Sequence, residues 1–191
     1  MRVTPSPRVP SAGRVPTEAQ RIFDVVAAMG DVPFGFLEEG CIHRAHVVCK
    51  RLEERGIESE KLIILPHGAD LVMTTPRAKL GYTVVWYHES PCVTVDGKKW
   101  VVDPSVADRP LTVDEWRKTM RPAVDAPVEV FVMPRFAYGL EDRKAPPTTW
   151  RAKDVASALK WNDDWRESAA WMEESGFYEQ LPKLARGILN D

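Results

Sequence analysis

Asp96-Gly97 joins two β-rich runs, Cys92-Val93-Thr94-Val95 and Lys98-Lys99-Trp100-Val101-Val102. An Asp-Gly pair between such runs is the strongest short-range signal for a two-residue hairpin, because both turn residues must take positive φ. The turn also sets the register. Val95 faces Lys98 and, carried along the ladder, Ser90 faces Asp103. His88 lies two residues from Ser90, so it shares a sheet face with Asp103. The two form a diagonal pair with Cβ atoms roughly 7 Å apart, within reach of a hydrogen bond. The other face carries Val93, Val95, Trp100 and Val102, a candidate core.

Other elements follow from periodicity and caps. Thr17-Glu18-Ala19-Gln20 is a capping box, with Ile22, Val25, Val26 and Met29 at helical spacing behind it. A second helix is expected from Cys41, or one residue before, with Ala45, Val48, Cys49 and Leu52 as its apolar stripe and Gly56 as its stop. Lys61 to Leu65, Leu71 to Thr75, Val128 to Met133 and Tyr82 to Tyr87 read as strands, with His88 closing the last. Thr112-Val113-Asp114-Glu115 opens a short helix that carries Trp116. In the tail, Ala158, Trp161, Trp165, Ala169 and Met172 share a helical face, and Phe177 to Ile188 suggests one more short helix. The expected organisation is a Pro-rich disordered leader over residues 1–16, a core over 17–135, and a helical extension over 136–191 packed on that core.

Composition narrows the function classes. With 191 residues, 44% hydrophobic and 28% charged, the chain can bury a core of its own as one domain. A net charge of −2 argues against a nucleic-acid partner. No run approaches the ~20 apolar residues of a membrane span. Three cysteines, an odd number, do not suggest a disulfide framework. The first residues lack the apolar stretch of a secretion signal, so a cytoplasmic location is the expectation, with leaderless secretion as the alternative.

The residues that carry chemistry are Cys41, His88 and Asp103. A thiolate is the attacking form of cysteine, and a helix N-terminus favours it through unpaired N–H groups and partial positive charge. Glu38 and Glu39 act in the opposite sense. Gly40 permits close approach of substrate and backbone, and the Cys41 N–H is a natural oxyanion donor. His88 is the candidate base, with Asp103 orienting its ring. Cys49 reads as a small buried apolar residue.

These segments resemble the bacterial protein-glutaminase family, the protein-glutamine deamidases. Gly40-Cys41 followed by Arg44-Ala45, then Trp86-Tyr87-His88, then Val101-Val102-Asp103-Pro104-Ser105, and then Thr112 with Trp116 fall in the family's order and spacing. The resemblance covers roughly Phe34 to Trp116. After His88 this chain has Glu89-Ser90, where the family usually has small apolar residues. The resemblance implies an α+β, papain/transglutaminase-like core in which the nucleophile helix packs on an antiparallel sheet. It implies Cys41 as nucleophile, His88 as base and Asp103 as orienting acid. Trp86, Tyr87, Gly40 and Ser105 are the candidate substrate-binding residues. The implied partner is a protein or peptide with an exposed glutamine. No cofactor or metal is called for.

Alternatives stay open at this point. A thiol peptidase or transglutaminase would use the same triad but would cleave peptides or incorporate amines. A non-catalytic binding domain would leave Cys41 no more reactive than an ordinary exposed thiol. His43 and His46, at i, i+3 beside Cys41, raise a metal site, although Cys41 does not project with them; a polar helix face is the expected reading.

Overall fold

The computed structural model describes residues 17–174 apart from Phe36, Glu38 and Lys79, with side chains described as far as residue 167. The expected leader, the short helix from Phe177 and the placement of Ala169 and Met172 lie outside the described side chains.

Two helices come first, α1 (Thr17–Ala27) and α2 (Cys41–Glu53). Strands β1 (Glu60–Pro66), β2 (Leu71–Thr74), β3 (Tyr82–Val85), β4 (His88–Val95), β5 (Lys98–Val101) and β6 (Leu111–Thr112) follow. Then come α3 (Val113–Lys118), β7 (Met120–Pro122), β8 (Val128–Pro134), a 3-10 turn (Leu140–Arg143) and α4 (Ala152–Glu174). The fold is α+β, as expected.

Five strands form an antiparallel sheet in the order β6-β5-β4-β1-β8, and three form a second sheet in the order β3-β2-β7. The hairpin register is the expected one, with Val95 opposite Lys98 and Cys92 opposite Val101. Asp96 and Gly97 take φ values of 51° and 72°, the positive pair that this turn demands.

The alternation of β4 splits the core into two layers. Val93 and Val95, with Trp100 and Val102, face Ile22, Phe23 and Val26 of α1, Val47, Val48 and Leu52 of α2, and Ala158 of α4. Cys92 and Val101, with Leu62 and Ile64, face Leu71, Met73 and Val85 of the small sheet and Trp116 of α3. The large sheet thus lies between helices and the small sheet, which is why every β4 residue except Thr94 is buried. Each fully buried Leu, Ile or Val contributes about 1.5–3 kcal/mol, so this double-sided burial fixes β4 firmly.

One expectation needs correcting. Tyr82 to His88 is not a single strand: β3 ends at Val85 in the small sheet, Trp86 and Tyr87 leave both sheets, and His88 opens β4 opposite Ile64. Local propensity cannot register a change of sheet, because pairing partners decide it.

Candidate active site

α2 begins at Cys41, immediately after Gly40, whose φ of +79° is left-handed and strained for any other residue. Gly40 at the N-cap has no side chain to cap this terminus, and among the described residues its first-turn N–H groups take no side-chain cap. The preceding turn is tied down by Arg44, buried on the helix, whose Nη1 donates to the Glu39 carbonyl at 2.8 Å. At the other end Gly56, with φ +73°, closes the helix as Ile57 N–H donates back to the Leu52 carbonyl.

His88 and Asp103 meet as the register predicts. His88 Nε2 lies 2.7 Å from Asp103 Oδ2, and both residues are buried. Asp103 Oδ2 also accepts from Trp116 Nε1 at 3.0 Å, and its Oδ1 accepts from the Ser105 N–H at 3.1 Å. Burial alone would raise the Asp103 carboxyl. The His88 charge and hydrogen bond, with Trp116 and Arg44, outweigh it and hold the group below the usual carboxylate range. Burial likewise disfavours a charged His88. The Asp103 charge and hydrogen bond, aided by a hydrogen bond and charge interaction with Cys41, lift it to about 9. With Nε2 donating to Asp103, Nδ1 is the ring nitrogen left for Cys41.

Cys41 is partly exposed, whereas Cys49 and Cys92 are buried. Burial pushes the Cys49 thiol up to about 11, in keeping with an inert core residue. Cys41 and His88 open onto a cleft of about 340 Å³, whose walls include Gly40, Trp86, Tyr87 and Trp161. Tyr87 is buried against Cys41, and burial together with the neighbouring Cys41, Glu89 and Glu141 raises its phenol, so it stays a neutral donor. Trp86 is 62% exposed and packs edge-on against Tyr87, with ring centroids 4.1 Å apart. Ser105 departs from expectation: it is buried behind Asp103 and is absent from the cleft wall. Its N–H holds Asp103 while its carbonyl accepts from Thr75 Oγ1 at 2.6 Å, so its contribution is to the turn.

His43 and His46 do not form a polar helix face. His46 is fully buried, edge-on to Tyr138 and Trp150, and His43 stacks on Trp161. Burial, reinforced by Lys61 and nearby arginines, depresses His43 to about 4 and His46 to about 3, so both rings are neutral at ordinary pH. The segment after β8 and α4 cover this side of α2, and the helix's own pattern carries no sign of that cover. Among the described residues no cluster of three or more His, Cys, Asp or Glu could hold a metal ion.

Sequence reasoning also missed a buried charge. Lys61 on β1 is fully buried, with Nζ 3.1 Å from Glu89 Oε1 and 3.1 Å from His46 Nδ1, and it donates to the Ala137 carbonyl. The contact with Glu89 is one of charge rather than a well-directed hydrogen bond. Burial raises the Glu89 carboxyl, and the Lys61 charge offsets part of that. A lysine heading the apolar Leu62-Ile63-Ile64 run, together with an acid beside His88, was the available signal.

A family model described as glutaminase matches residues 19–120. Among solved structures, a crystal structure of protein-glutaminase aligns at 17% identity and a TM-score of 0.54, over 75% of this chain and 85% of that one. The NMR structure of protein-glutaminase from Chryseobacterium proteolyticum aligns at 18% identity and a TM-score of 0.52, over 74% and 83%. The A47Q2 mutant of pro-protein-glutaminase aligns at 22% identity and a TM-score of 0.51. It shares 63% of this chain but only 48% of its own, so the present chain spans about half the length of that pro-form. No curated protein matches. At these identities the structural likeness establishes the fold.

Proposed function

The chain belongs to the glutaminase family, and from that membership we propose that it is a cysteine amidohydrolase that converts glutamine side chains of proteins or peptides to glutamate. The observation that carries this reading is His88, buried and held above its ordinary pKa between Asp103 and Cys41 beside an open cleft.

In this mechanism the Cys41 sulfur attacks the side-chain amide carbon. The Cys41 N–H, at the uncapped helix start, faces the developing oxyanion. Protonated His88 gives its proton to the departing amide nitrogen, which leaves as ammonia. Neutral His88 then takes a proton from water, and the resulting hydroxide cleaves the thioester, releasing glutamate and Cys41. Asp103 keeps the ring oriented and its charge compensated, and Trp116 and Ser105 hold Asp103. Trp86 and Tyr87 line the route of the glutamine side chain. Residues 17–135 form the catalytic core in this reading, and among the described residues the extension that follows packs on it where α4 meets α2. Among the described residues no helix is long and apolar enough to cross a membrane.

The test is ammonia release from a blocked glutamine peptide and from a glutamine-bearing protein, with the product identified by mass spectrometry. The wild type is expected to release ammonia in step with glutamate formation, and Cys41→Ala to release none. Backbone cleavage would point to a thiol peptidase, and an amine joined to the glutamine to a transglutaminase. Equal release by both proteins would remove Cys41 from the reaction.

A further inference from the structure

Among the described residues, α4 reaches the cleft through Trp161. Trp161 lies about two helical turns beyond Asp154 and just under one beyond Ala158, both buried near the start of α4, and it lines the same cleft as Cys41. Its ring covers Gly40 so closely that a Cβ built on Gly40 would fall 1.6 Å from Trp161 Cη2. Gly40 is therefore required twice, once for its positive φ and once for the indole above it. The family match ends at residue 120, well before this helix.

The indole is held from behind by an ordered stack. Trp161 lies over His43 with centroids 4.6 Å apart and planes at 16°. His43 Nδ1 in turn lies 2.6 Å from the Tyr138 hydroxyl, and the Tyr138 ring meets His43 edge-on. Trp165 packs against the outer side of Trp161 at 5.4 Å. The root of α4 is pinned by Arg151, which bridges Asp142 and Asp154. A ring fixed in this way over the start of the nucleophile helix is a preorganised wall, unlike an exposed aromatic free to swing aside.

We propose that Trp161 is a specificity-determining residue that forms the α4-side wall of the subsite for the glutamine side chain, narrowing the approach to Cys41 to a slender, unbranched amide stem. This rests on the glutaminase reading for the identity of the side chain, but not for the existence of the wall. The chemistry suits an apolar stem. The two methylene groups of glutamine gain by leaving water against indole, whereas an electrophile carrying a bulky group, such as a benzyl, would meet the ring before its reactive carbon reached the Cys41 sulfur.

The experiment uses the full chain, as wild type, Trp161→Ala and Trp161→Phe. Two readouts are taken. The first is the rate of Cys41 alkylation by iodoacetamide and by the bulkier N-benzyl iodoacetamide, with the site mapped by mass spectrometry. The second is KM and kcat for a blocked glutamine dipeptide. In Trp161→Ala the bulky-to-small alkylation ratio is expected to rise about tenfold, and KM to rise by a similar factor while kcat changes less. Trp161→Phe, which keeps a flat ring on His43, is expected to stay near wild type in both. An unchanged ratio and unchanged KM in a folded Trp161→Ala protein would overturn the proposal. If the alanine variant does not fold, Trp161→Leu is judged by the same two criteria. If the wild type releases no ammonia, the deamidation reading fails while the alkylation ratio still decides whether the wall exists.

Discussion

Asp103→Asn is expected to lower kcat by about 10²–10⁴-fold, the range supplied by a positioned acid–base group. The carboxylate does two things that an amide cannot. Its charge keeps the buried His88 ring protonated up to about pH 9, and its Oδ2 accepts only, which commits Nε2 to donating and leaves Nδ1 toward Cys41. An asparagine removes the charge, so burial takes over and drives His88 toward the neutral form. The same substitution carries a stability signature. His88 binds its proton more tightly in the folded chain than at its ordinary value of 6.5. Its contribution is therefore complete below pH 6.5 and is lost as pH rises through about 9. Wild-type unfolding midpoints should fall across that window, and the slope should be reduced in Asp103→Asn. Near-wild-type kcat with an unchanged slope would mean that Asp103 does not act on His88.

Lys61→Met is expected to destabilise the fold by about 3–5 kcal/mol in urea denaturation, the cost of stranding one partner of a buried ion pair. Glu89 would be left buried without its cation, and the Ala137 carbonyl would lose its donor. Pairing the change with Glu89→Gln should recover part of the loss, because the stranded charge is then gone. The consequence reaches the site through the chain itself. Glu89 follows His88 on β4, and Lys61 joins β1 to α2 by way of His46, so this pair ties the helix that opens at Cys41 to the strand that opens at His88. A loss below about 1 kcal/mol would show the pair to be incidental.

Short-range physics made the candidate site residues legible. The Asp96-Gly97 turn set a register that carried His88 to Asp103, and Gly40 before an apolar stripe marked the start of α2 at Cys41. The capping box at Thr112 and Glu115 is also present and seats Trp116 under Asp103. What stayed hidden depended on contacts between distant segments. The break at Trp86-Tyr87 arises because Val85 pairs with Leu71 while His88 pairs with Ile64. His46 looked like a surface residue because its cover, Tyr138 and Trp150, lies roughly a hundred residues downstream in the chain. Ser105 was expected to bind substrate because it shares the Asp103 motif, yet it serves the Asp103 turn, since a motif preserves order and spacing without saying which way a side chain faces. Trp161 showed only helical spacing, which is equally the mark of a packing residue.

The central claim is that Cys41, His88 and Asp103 act as one unit, and it can be tested without knowing the substrate. The measurement is the rate of iodoacetamide alkylation at Cys41 against pH, in the wild type and in His88→Ala. The account predicts a wild-type rate well above that of an ordinary exposed cysteine at neutral pH, with the excess lost when His88 is removed. Equal rates in the two proteins, at the level of an unassisted thiol, would contradict it.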